Sequence, residues 1–192
     1  MKSFTSTVAL AVIAAGVLAI TGSAHAEETY AGAALGARTH FGLDCAGSDR
    51  CDRIGNASGK VYLGRTYSEH FGAEVMAFRL GSARGSIDSN NGRVPGRVKA
   101  EGLGAVAVAR TKFDAITFKA RLGAAVERGR TDYADGSSAS KTALVPVVGV
   151  GASVALNKQW ALTADWDLIG GRFNGREKAG VQMLSIGAAF SF

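Results

Sequence analysis

The stretch "ITFKARLGAAVER", residues 116–128, decides the fold class. Side chains along an extended strand alternate between two faces. Read that way, Ile116, Phe118, Ala120, Leu122, Ala124 and Val126 share one face, while Thr117, Lys119, Arg121 and Glu127 share the other. Helical spacing from Phe118 reaches Arg121, Leu122 and Ala125, which would put a guanidinium and aliphatic groups on one stripe. Period two separates grease from charge here, and period 3.6 does not. Glycine, with 26 copies in the chain, would also weaken each helix by about 1 kcal/mol per residue relative to alanine.

The same alternation recurs in both directions. Segments 30–38, 60–67, 72–81, 98–110, 144–156, 160–169 and 183–192 read as strands, which with 116–128 makes eight. In "WALTADWDLI" (160–169), Trp160, Leu162, Ala164, Trp166 and Leu168 oppose Thr163, Asp165 and Asp167. In the closing "MLSIGAAFSF" (183–192), Leu184, Ile186, Ala188, Phe190 and Phe192 oppose small and partly polar residues. Longer polar connections at 43–59, 82–97, 129–141 and 170–180 alternate with short ones at 68–70, 111–115 and 157–159. An even number of strands with alternating short and long connections predicts an all-β, eight-stranded antiparallel up-and-down transmembrane β-barrel. A water-soluble barrel would turn its apolar face inward. Ions on the second face belong in a paired interior, because charge facing lipid is costly at the midplane.

Residues 1–26 read as a cleaved secretory signal peptide: Lys2, an apolar run from Val8 to Ile20, then small residues at Ala24 and Ala26. Residues 27–192 form the barrel domain. The run from Val8 to Ile20 is short for a membrane-spanning helix, and the longest elsewhere, 143–156, is also short and is broken by Pro146, Gly149 and Gly151.

The whole exported part resembles the outer membrane protein A (OmpA) family. The resemblance rests on "MLSIGAAFSF" at 183–192, "KVYLGRTYSEHFGAEVMAFRLG" at 60–81, "VPVVGVGASVALN" at 145–157 and "YAGAALG" at 30–36. It implies an integral protein of a Gram-negative outer membrane. It also implies that Phe190 and Phe192 carry the signal read by the outer-membrane assembly machinery. The family's interior acid on the sixth strand is replaced by Ser153, so the interior pairing is expected to be rearranged. Many family members continue into a peptidoglycan-binding domain that this sequence does not carry, so no cell-wall tether is expected.

The inward set is predicted to contain Glu74, Lys99, Glu101, Lys119, Arg121, Glu127, Asp165 and Asp167, with Arg121 and Lys119 pairing Glu74, Glu101 and Asp165. A paired plug is expected over a gated pore, because mixed charges in so narrow a lumen pair more readily than they conduct. The segment 72–81 places Met76 and Phe78 on the Glu74 face, which a bulge could re-aim. Cys45 and Cys51 are expected to form a loop disulfide in an oxidising compartment; a metal site with His40 or Asp44 is the weaker alternative. Arg93, Arg97, Arg130, Arg172 and Arg176 are candidate contacts for lipopolysaccharide phosphates, since guanidinium suits phosphate geometry. Outer-membrane lipids, the assembly machinery and extracellular ligands of the loops are the expected partners; nucleic acid is not.

Enzyme signals are poor. His40 and His70 are the exported histidines, and neither shares a strand face with a serine and an acid. "GLGAVA" (102–107) matches a dinucleotide fingerprint but lies inside an alternating strand rather than at a strand-to-helix turn. The expected function is a non-enzymatic structural and surface barrel, without cofactor or metal, that supports the envelope and presents loops. A narrow solute pore is the alternative, and a lipid-modifying enzyme stands third.

Overall fold

The computed structural model describes residues 28–41, 52–89, 92–134, 136–173 and 177–192, with backbone alone at 52–56, 85–89, 92–95, 171–173 and 177–179. The described chain is strand throughout: β1 (Thr29–Phe41), β2 (Asp52–Asn56), β3 (Gly59–Thr66), β4 (Phe71–Ser89), β5 (Gly92–Phe113), β6 (Ile116–Tyr133), β7 (Ser138–Ala155), β8 (Trp160–Phe173) and β9 (Glu177–Ser191). β2 and β3 are two parts of one barrel strand, interrupted at Ala57, whose φ of 51° breaks the extended run. Both parts lie between β1 and β4, so the barrel has eight antiparallel strands.

Closure follows from the first and last strands. β1 pairs β9 from Tyr30↔Ser191 to Phe41↔Val181, with one irregularity between Gly36 and Arg38. The sheet therefore has no free edge, which is the condition for placing strands in hydrocarbon. Turns at 67–70, 114–115 and 156–159 lie at the same end as Thr29 and Phe192.

At the opposite end the strands run further than the sequence predicts. The segment 82–97, expected as a loop, continues the β4–β5 ladder from Ser82↔Lys99 to Ser89↔Gly92. β6 and β7 likewise stay paired to Asp132↔Ser138. Above the membrane a polar hairpin satisfies its backbone groups by simply extending the ladder, and polarity alone does not register that.

The outer wall is apolar where it must be. Leu35, Leu122 (66% exposed), Leu144, Val150, Leu162, Trp166, Leu184 and Ile186 all project outward. Such a band far exceeds what a soluble surface tolerates. Near the short turns it ends in aromatic rings at Phe71, Phe113, Phe118, Trp160 and Phe192, the arrangement of an interfacial girdle. Phe190 packs edge-on against Trp160 at 5.0 Å and Phe192 at 5.3 Å.

Candidate functional site: the charged layer of the lumen

An eight-stranded barrel has room inside for side chains and little more. Here large inward groups sit opposite glycine. The register pairs Gly151 with Asp165 and Gly149 with Asp167. A Cβ at Gly151 would stand 2.0 Å from Asp165 Oδ1, and one at Gly149 2.4 Å from Asp167 Oδ1. Tyr30 lies across Gly64 and Tyr62 across Gly32, in reciprocal cross-strand pairs. The glycines of β1, β3 and β7 thus supply the volume that the ionic groups and phenols occupy.

Arg121 is the centre of this layer. Its Nε donates to Glu74 Oε2 at 2.7 Å, and another guanidinium nitrogen donates to Asp165 Oδ1 at 2.7 Å. Tyr30 Oη donates to Glu74 Oε1 at 2.8 Å. Lys60 Nζ bridges the other side, 2.5 Å from Asp167 Oδ2 and 3.1 Å from Asp165 Oδ2. Every one of these charged side chains is at most 1% exposed. Lys119 Nζ stands 4.7 Å from the Tyr30 ring centroid, a cation–π contact. Carboxylates at Glu74, Asp165 and Asp167 therefore meet cations at Lys60 and Arg121, with Lys119 held beside them on the Tyr30 ring.

Towards the far end the lumen changes character. Phe41, Leu80, Val98, Val147, Ile169, Val181 and Met183 are all buried at 0% exposure. An apolar layer is stacked on the ionic one. It starts on β4, where Glu74, Met76, Phe78 and Leu80 all face inward. No bulge re-aims Met76 or Phe78; the irregularity falls later, between Arg79 and Ser82, with Gly81 at φ 75°.

Of the predicted interior residues, Glu74, Lys119, Arg121, Glu127, Asp165 and Asp167 do face the lumen. Lys119 contacts a ring rather than a carboxylate. Two expectations are corrected. Glu101 is exposed on the outer wall, and Lys99 shares its face. The reason is that β5 turns Val98, Ala100, Val106 and Val108 inward, filling the lumen with aliphatic volume and leaving its ions outside. Sequence reasoning does not find Lys60; its alternation with Tyr62 and Gly64 is the available signal. Arg97 and Arg130 lie on the outward faces of β5 and β6, not in loops. Arg93 and Arg172 are placed by backbone alone, while Cys45, Cys51, Arg176 and residues 1–26 lie outside the described residues. Among the described residues no cluster of His, Cys, Asp and Glu is placed to hold a metal.

With this geometry in view, the chain matches the family model for the outer membrane protein beta-barrel domain over residues 7–192. No curated protein matches it. Among solved structures it is similar to Neisserial surface protein A (18% identity, covering 89% of this chain and 100% of that one, TM-score 0.63). It is also similar to a major outer membrane protein from Thermus thermophilus (12% identity, 88% and 100% covered, TM-score 0.58). A third is Ail, the attachment invasion locus protein of Yersinia pestis (14% identity, 86% and 97% covered, TM-score 0.53). At these identities the likeness is one of fold.

Proposed function

The chain belongs to the outer membrane protein beta-barrel domain family, an integral protein of the Gram-negative outer membrane, and from that premise we propose that it is a closed structural and surface barrel. In this reading it spans the membrane as a sealed unit and presents its extended far-side hairpins outward. The observation that carries the reading is the doubly sealed lumen, with an ion-paired layer at Arg121 and an apolar layer at Phe41, Leu80 and Met183. An open water path would have to break charge pairs buried from solvent and also wet a tightly filled aliphatic section. Broken buried pairs cost about 3–5 kcal/mol each. The girdle position of Phe190 and Phe192 supports the assembly-signal role expected of them.

The test is electrical. Protein refolded into planar bilayers, with the folded form verified by its heat-modifiable gel migration, is expected to give no discrete conductance steps. Regular single-channel openings from the unaltered protein would overturn the sealed reading in favour of a pore.

A further inference from the structure

The outer wall carries a cluster of ions that the barrel itself does not need. Glu101 on β5 has Arg79 of β4 as one register partner and Arg128 of β6 as the other. One rung further from the short turns, Lys99 pairs with Ser82 and Arg130. Asp132 holds both cations of that rung, 3.1 Å from Lys99 Nζ and 2.8 Å from Arg130 Nε. Arg79, Lys99, Glu101, Arg128 and Arg130 line a concavity of about 260 Å³ on the wall. Among the described residues of the cluster, four cations face two carboxylates, so it keeps an excess of two positive charges.

Its position gives the excess a meaning. The rung just below Arg79–Glu101–Arg128 is Ala77–Leu103–Val126–Leu144, the upper margin of the hydrocarbon-facing band. There a second concavity of about 300 Å³, lined by Gly102, Leu103 and Val126 with the inward Phe78 ring behind Gly102, shares Glu101 and Arg128 with the first. The two adjoin along Glu101 and Arg128: a cationic recess and an apolar groove beneath it. Cations on a lipid-facing wall repel one another and gain little unless anions cover them. What covers this height in the outer leaflet is lipid.

We propose that this wall is a docking site for a phosphorylated, acylated outer-leaflet lipid, with Arg79, Lys99, Arg128 and Arg130 taking the phosphate and the groove over Leu103 and Val126 taking an acyl chain. The inference rests on the outer-membrane reading and names a lipid partner within it. Two arginines flanking one rung provide planar forks for phosphate oxygens. Asp132 pins Lys99 and Arg130 in advance, which reduces the ordering cost of capture. Arg97 and Arg130, expected from sequence to meet lipopolysaccharide, flank or join this cluster. Arg79 is the member that only the register reveals.

The test uses the full exported chain refolded in detergent micelles, with purified lipid A as probe and retention read by native mass spectrometry. The variant Arg79→Gln/Arg128→Gln/Arg130→Gln is expected to retain lipid A about tenfold less than the unaltered protein, since charge-assisted contacts are removed. Lys158→Gln, which removes a cation from a short turn at the other end, is expected to leave retention unchanged. Dephosphorylated lipid A should be lost like the triple variant, and inorganic phosphate alone should not compete. Equal retention by the triple variant, or retention indifferent to the lipid's phosphates, would overturn the proposal. So would displacement by inorganic phosphate, which would make the groove irrelevant. Heat-modifiable migration of each variant is read in parallel. Failure of the unaltered protein to show a folded barrel would count against the outer-membrane reading itself, a result separable from loss of lipid alone.

Discussion

Arg121 bears on stability more sharply than any other residue of the lumen, because it serves two carboxylates at once. Removing it leaves Glu74 and Asp165, each 1% exposed, without the guanidinium between them. Arg121→Ala is therefore expected to lower unfolding free energy by about 3–5 kcal/mol, read as a fall in the urea midpoint in lipid vesicles. The combined change Glu74→Gln/Arg121→Met/Asp165→Asn leaves no ionised group of that trio stranded and should recover part of that loss. If the triple change proves as damaging as Arg121→Ala, the layer is held by shape rather than by charge. At this scale the sequence is partly legible. Arg121, Asp165 and Asp167 oppose unbroken apolar faces, so alternation assigns them inward without ambiguity. Lys60 escapes because it opens its strand, although its alternation with Tyr62 and Gly64 against Val61 and Leu63 carries the signal.

Among the elements, β5 defeats a polarity-based reading and shows why. Its two faces carry Ala100, Val106 and Val108 on one side and Leu103, Ala105 and Ala107 on the other, so hydropathy does not distinguish them. What decides is volume. Val106 fills the lumen opposite Gly123 of β6, its register partner, while Val108 stands opposite Arg121. The reversal also delivers Lys99 and Glu101 to the outer wall, where the cationic recess is built. Spin labels test the phase directly, in a background with Cys45 and Cys51 replaced by serine. Labels at Ala105 and Ala107 should collide with oxygen dissolved in the bilayer core, and a label at Val106 should be shielded. The opposite pattern would return Glu101 to the lumen and dissolve the proposed lipid site. β6 and β8 need no such arbitration, since each, over 116–127 and 160–169, keeps its ions on one face and most of its aromatic and branched residues on the other.

For the molecule as a whole, barrel closure and membrane placement follow from alternation, strand count and the apolar outer band, while the internal layering depends on stacking that no single strand announces. The ionic and apolar layers are built from the same inward-facing positions at different heights: β8 contributes Asp165 and Asp167 to one and Ile169 to the other. In the proposed sealed barrel, two barriers in series must both fail before water crosses. Arg121→Ala alone is accordingly expected to remain electrically silent in planar bilayers despite its lost stability. Phe41→Ala/Leu80→Ala/Met183→Ala alone should also be silent, because the charge pairs below it remain closed. Only the two sets together should give discrete conductance, provided the folded form persists on gels. Openings from Arg121→Ala by itself would mean that the apolar layer does not hold back water and that the charged layer is the sole gate. Openings from the apolar variant alone would mean the reverse, that the pairs at Arg121 already admit ions.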